Sequence, residues 1–175
     1  MQSKDRTLLE KFILFAAEGF GAGRFPVAPG TVGSLVGFGW IYILLLPGHL
    51  VAYIAGIVLG FFGAVWIGGA GELISGRTDP GSIVIDEIAA LPLAFLGALV
   101  AESNSLATPS FGSFFHGTNI IALLVAFAGF RLFDVAKPWL IGRAQDLPGG
   151  WGLVVDDFLA ALPVIPLTYA AAHYF

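Results

Sequence analysis

Apolar positions along this chain fall into long unbroken runs, not into the alternation of a strand or the single stripe of a soluble helix. Runs 50–70, 83–101, 118–136 and 153–172 each hold about the 20 residues that a helix needs to cross a bilayer. A shorter run, 32–46, stops at Pro47-Gly48. The stretch before it, 21–34, carries four glycines and two prolines, which forbid a regular helix until about Thr31. That apolar loop could supply the depth the short run lacks. Residues 7–20 suit a short helix interrupted by Glu10, Lys11 and Glu18, predicted to lie in the interface with its apolar side down. Pro92 predicts a kink or loosening of the third long helix, and Pro163 and Pro166 fall inside the last. Between the runs lie polar or Gly/Pro-punctuated loops at 72–82, 102–117 and 138–152. The pattern predicts an all-α integral membrane protein with an N-terminal interfacial helix and about five transmembrane helices, some short or kinked. Residues 1–175 are expected to form one membrane-embedded domain, 1–20 the amphipathic helix and 21–175 the helical bundle.

Composition agrees. Apolar residues make up 57% of the 175 and charged residues 11%, against about 25% charged in a soluble domain. Mean hydropathy is +0.88. The net charge is −4, with no basic tract to suggest nucleic acid. The absence of cysteine excludes disulfides, thiolate metal sites and a cysteine nucleophile. The charged start of the chain, with Lys4, Asp5, Arg6, Glu10 and Lys11, is unlike the short n-region of a cleaved signal.

Charge sorts by the parity of the crossings. With five spans, the N-terminus, the 72–82 loop and the 138–152 loop share one side. All eight basic residues fall on or near it, so it is expected to be cytoplasmic. The same counting brings Asp86 and Glu87, then Arg131, Asp134 and Lys137, then Asp156 and Asp157, to that side. His49, His116 and His173 fall at the other.

Carboxylates in an apolar run are costly unless paired, metal-bound or facing a polar cavity, which makes these acids candidates for function. Asp86, Glu87, Asp134, Asp156 and Asp157 offer hard oxygen ligands that suit Mg²⁺, with Mn²⁺ or Ca²⁺ as lesser fits. Arg131, Asp134 and Lys137, at i, i+3 and i+6, share one broad helix face with donors for an anion. Acids for a metal beside bases for an anion, at headgroup depth, point to a phosphate ester held by Mg²⁺. The segments 29–34 and 80–82 each precede a helix, where free N–H groups favour phosphate. Capping by Thr31, Asp79 or Ser82 is the plainer reading of either segment alone. Plain readings also exist for the acids: interfacial solvation of Asp86 and Glu87, and an intrahelical Arg131–Asp134 pair. Asp156 and Asp157 have no base near them in sequence.

Four stretches together resemble the bacterial phosphatidylglycerophosphatase A family. They are 25–34 (Phe-Pro-Val-Ala-Pro-Gly-Thr-Val-Gly-Ser), 81–87 (Gly-Ser-Ile-Val-Ile-Asp-Glu), 130–139 (Phe-Arg-Leu-Phe-Asp-Val-Ala-Lys-Pro-Trp) and 149–157 (Gly-Gly-Trp-Gly-Leu-Val-Val-Asp-Asp). They stand in the family's order; Ala90 and Leu140 occupy positions where it usually carries glycine and proline. The resemblance implies a multi-pass enzyme of the bacterial inner membrane. It would hydrolyse phosphatidylglycerophosphate to phosphatidylglycerol and inorganic phosphate with Mg²⁺, on the cytoplasmic face. On that basis Asp86, Glu87, Asp134, Asp156 and Asp157 are the expected metal ligands, for one ion or two. Arg131 and Lys137 would neutralise phosphoryl oxygens, and Thr31, Gly33 and Ser34 would bind phosphate. Asp86, Arg131, Asp134 and Lys137 are the expected catalytic set, with Asp134 a ligand, a base or a nucleophile. A cation- or proton-coupled carrier is the alternative, and a non-catalytic assembly subunit a third. Carrier sites usually lie near the midplane, however, and these acids crowd one end.

Overall fold

The computed structural model describes residues 6–103, 105–116 and 119–174. Lys4 and Asp5, and Thr118 at the expected start of the fourth long run, lie outside the described residues. Among the described residues the α-helices are α1 Leu8–Ala17, α2 Pro29–Leu45, α3 Leu50–Ser75, α4 Ile85–Glu102, α5 Ile120–Ala136, α6 Leu140–Ala144, α7 Gly150–Ala161 and α8 Val164–Tyr174. The 3₁₀ turns Gly19–Arg24 and Phe111–Phe115 lie between helices, and no strand is present among the described residues.

All five apolar runs are helical, with shifted ends. α2 begins at Pro29, earlier than the glycines suggest. Proline at the first helical position has no N–H to leave unpaired, and Ala28 turns the chain with a positive φ of 50°. α3 continues to Ser75, where Gly76 closes it in the left-handed conformation. α4 runs on through Pro92, whose carbonyl accepts the buried Tyr53 hydroxyl at 2.9 Å. The last run divides at Leu162-Pro163 into α7 and α8, while Pro166 lies in the first turn of α8, where its missing N–H costs nothing. The expected 138–152 loop contains α6 and the start of α7.

Among the described residues two helical segments are long and apolar enough to cross a membrane: α3, of 26 residues with an 18-residue stretch of mean hydropathy 2.3, and Gly150–Tyr174, of 25 residues with an 18-residue stretch of 1.6. α2, α4 and α5 have 17, 18 and 17 residues, a rise of about 26 Å each. α3 turns Leu59, Phe62, Trp66 and Leu73 outward, an apolar face where a soluble helix would be charged. α1 is closed by a capping box between Thr7 and Glu10 and packs Leu14 and Ala17 inward. Leu8, Phe12 and Phe15, at i, i+4 and i+7, form an exposed apolar stripe, as an interfacial helix requires.

α4 is the central helix and touches α2, α3, α5, α7 and α8. Small residues let the others approach. A side chain on Gly97 would overlap the Ile165 carbonyl, and the fully buried Thr168 hydroxyl lies 2.9 Å from the Ala94 carbonyl across the same contact. Gly150 abuts the Val65 carbonyl of α3 in the same way, which fixes where α7 begins. At one end of the bundle the loop before α3 meets the segment after α4, through Leu50 N–H to Leu106 O at 2.8 Å and Thr108 N–H to Gly48 O at 3.1 Å. The start of α4 is tied down at the opposite end, where Val84 N–H donates to Ala17 O at 3.0 Å.

Candidate functional site

Four helix segments meet at that second end: the first turns of α2 and α4, the last turns of α5, and α7 about two turns in. These are the ends that parity assigned to one side. The seven charged candidates form one connected cluster there. Asp86 and Glu87 occupy the first turn of α4, and Asp157 reaches them from α7. One carboxylate oxygen from each of these three lies within 4.8 Å of the other two. Asp86 is 6% exposed and Asp157 3%, so interfacial solvation does not account for either.

The remaining acids belong to the bases. Arg131 contacts Asp134 one turn on and lies 3.7 Å from Glu87. The intrahelical pair is therefore real, but the guanidinium also bridges to α4. Lys137 caps α5 with a positive φ of 40°, which turns its ammonium to Asp156 and within 3.9 Å of Asp134. It is the base that Asp156 and Asp157 lack in sequence. Asp156 also accepts the Asp157 N–H at 3.0 Å. The five carboxylates thus divide into Asp86, Glu87 and Asp157, close together, and Asp134 and Asp156, each held by a cationic side chain.

The unpaired atoms distinguish the two sets. Asp86 Oδ1, Glu87 Oε2 and Asp157 Oδ2 are buried without a hydrogen-bond partner, as is Arg131 Nε. A buried carboxylate oxygen without a donor is costly, and three carboxylates this close repel one another. A hard divalent cation answers both costs, so the donor set fits Mg²⁺.

The 29–34 segment lies against this cluster, but not through the residues expected. A side chain on Gly30 would overlap Glu87 Oε1 and come within 3.2 and 3.3 Å of the two Arg131 Nη atoms. Gly30 was missed by sequence reasoning, although it stands one helical turn from Gly33 and Ser34. Ser34 is fully buried and donates to the Gly30 carbonyl at 2.8 Å. Gly33 makes room for Val84, whose Cβ lies 2.6 Å from where a Gly33 side chain would begin. Thr31 is half-buried beside Gly30. The expected caps are not made: neither α2 nor α4 has a side-chain cap. Asp79 instead donates its N–H to Glu72 at 2.7 Å, and Ser82 precedes α4 by three residues, its carbonyl packed against Gly23.

The model of the phosphatidylglycerophosphatase A family matches residues 15–172. A phosphatidylglycerophosphatase A of Escherichia coli is 31% identical over 161 residues, 90% of this chain and 82% of that one. Its Haemophilus influenzae counterpart is 32% identical over 172 residues, 98% and 94% of the two chains. A protein of Bacteroides thetaiotaomicron named as a putative phosphatidylinositol-3-phosphatase is 31% identical over 148 residues, 82% and 83% of the two. No solved structure matches significantly.

Proposed function

The chain belongs to the phosphatidylglycerophosphatase A family, and from that premise we propose that it removes the terminal phosphate of phosphatidylglycerophosphate. The products are phosphatidylglycerol and inorganic phosphate. That it is a lipid phosphatase follows from the family. The rest of the reading is ours: Mg²⁺ dependence, a bacterial inner membrane crossed by about five helices, one domain, and a site facing the cytoplasm. The observation that carries it is the trio of buried, unpartnered carboxylate oxygens on Asp86, Glu87 and Asp157, beside an arginine with an unspent donor.

In this reading Asp86, Glu87 and Asp157 hold Mg²⁺. Bound there, the ion supplies Lewis-acid stabilisation of charge on the phosphoryl group. Arg131 presents its free guanidinium edge to phosphoryl oxygens, steadied by Asp134 and Glu87. Lys137 adds a second positive charge from the α5 terminus. Asp134 and Asp156 orient the two bases. The first turn of α2 is open at Gly30, whose backbone N–H it presents to the phosphate, since the Thr31 and Val32 N–H groups already donate to the Ala28 carbonyl. Ser34 and Gly33 serve this turn from behind, one by bracing the Gly30 carbonyl and the other by letting α2 close on Val84.

Phosphate release from phosphatidylglycerophosphate, phosphatidylinositol 3-phosphate and phosphatidic acid, each with Mg²⁺ and with EDTA, tests this. Mg²⁺-dependent release fastest from phosphatidylglycerophosphate is expected. Preference for the inositol lipid would move the assignment toward the function named for the Bacteroides relative, and release undiminished in EDTA would remove the metal.

A further inference from the structure

We propose that the groove between α2 and α5 seats one acyl chain of the lipid substrate and so places its headgroup on the carboxylate site. The proposal rests on the lipid-phosphatase reading and adds where the tail goes. α2 and α5 both pack on α4 but touch each other sparingly, and the space between them is a groove of about 550 Å³ with no polar lining.

Its two walls lead to the site. On α2 the wall is Leu35, Phe38 and Tyr42; counting back with the same 3–4 residue spacing reaches Thr31. On α5 it is Ile120, Leu124 and Phe127, and the next position on that face is Arg131. Each apolar stripe therefore ends at the site: one at Thr31, next to the Gly30 that abuts Glu87 and Arg131, and the other at Arg131 itself. Phe38 and Phe127 close the back of the groove, their ring centroids 6.0 Å apart. At the far end the 3₁₀ turn closes it, with Phe111 5.9 Å from Tyr42 and 5.1 Å from Phe115. From Thr31 to Tyr42 the groove extends about 16 Å along α2.

A second apolar cavity, of about 350 Å³ between α2 and α3, lacks this continuity. Its α4 wall is Ile85, Ile88 and Ala89. At about 100° per residue these lie on the side of α4 turned away from Asp86 and Glu87. A chain seated there would have its headgroup on the wrong face.

The surrounding bilayer is as apolar as the groove, so the groove contributes registration of the headgroup and not hydrophobic affinity. Two glycines give matched tests. Gly39 lines the α2–α5 groove and Gly63 the α2–α3 cavity, and a Cβ added at either meets no atom within 4 Å, so a side chain can start there without clashing with the helices. Gly39 lies about 12 Å below Thr31, beyond the reach of a butyryl chain but not of a palmitoyl chain. Gly39→Phe is expected to lower the ratio of kcat/KM for dipalmitoyl over dibutyryl phosphatidylglycerophosphate about tenfold, and Gly63→Phe to leave it unchanged. An unchanged ratio in Gly39→Phe, or a fall in Gly63→Phe, overturns the proposal. Independently of activity, dipalmitoyl phosphatidylglycerophosphate carrying a mid-chain diazirine should crosslink wild-type protein on α2 and α5. Crosslinks confined to 59–67 and α4 also overturn it. Wild-type protein that releases no phosphate from either lipid refutes the phosphatase reading, and the crosslinks then decide the groove alone. They also decide it if Gly39→Phe fails to fold.

Discussion

Replacing Asp157 with asparagine should stabilise the protein when no metal is present and remove its response to Mg²⁺. With Asp86, Glu87 and Asp157 having oxygens within 4.8 Å of one another, each pair of charges repels by about 3.5 kcal/mol at an effective dielectric near 20. Neutralising Asp157 removes two of the three pairs, about 7 kcal/mol of gross repulsion. Counter-ions and side-chain relaxation leave a fraction of that. If about 2 kcal/mol survives, Tm rises by about 4–8 °C for a chain of this size. Mg²⁺ at a hundredfold excess over its Kd should stabilise wild-type protein by about 2.7 kcal/mol, and the variant by far less. The assay is thermal unfolding in detergent, followed by tryptophan fluorescence, in EDTA and in Mg²⁺. A carboxylate that served only in a structural ion pair would behave oppositely, since its loss would strand a buried partner and lower Tm in both conditions. Either a lower Tm in EDTA or a Mg²⁺ shift equal to that of wild type would refute the ligand assignment.

Two further outcomes concern the bases and the route of transfer. Arg131→Lys cannot span both Asp134 and Glu87 with one planar fork, so kcat should fall about 10²–10³-fold with little change in Tm; a kcat equal to that of wild type would take Arg131 away from the phosphoryl group. Both oxygens of Asp134 are engaged by cationic side chains, so attack by water is expected. Rapid acid quench of a turnover with terminally radiolabelled lipid should leave no hydroxylamine-sensitive phosphate on the protein, and label on the peptide carrying Asp134 would establish a covalent route instead.

The meeting of Asp86, Arg131, Lys137 and Asp157 was legible because it depends only on how many times the chain turns back. Parity survives errors of a few residues at each helix end, as at Pro29, Ser75 and Gly150. The division of the five carboxylates was not legible. Asp156 and Asp157 are neighbours in sequence, yet one faces Lys137 and the other Asp86 and Glu87, a difference set by the 100° step between them and by where α7 docks. That docking depends on Gly150 meeting the backbone of α3, a close approach that no local pattern announces. The expected caps failed for a related reason. Thr31, Asp79 and Ser82 are good capping residues, but α2 starts at Pro29 and α4 at Ile85, so Thr31 lies inside its helix and Asp79 and Ser82 stand six and three residues ahead of theirs.

The arrangement of charge also explains why the site is assembled from helix ends. A helix N-terminus carries partial positive charge and a C-terminus partial negative charge, felt mainly within one turn. Asp86 and Glu87 lie in the first turn of α4, and Lys137 caps the C-terminus of α5 one turn beyond Asp134. Each is on the end that favours its sign. Asp156 and Asp157 are too far into α7 for its N-terminus to help. Asp156 therefore depends on Lys137. Asp157, with Oδ2 unpartnered, is the carboxylate in most need of an added cation. That makes it the position where charge neutralisation and metal dependence should separate most clearly.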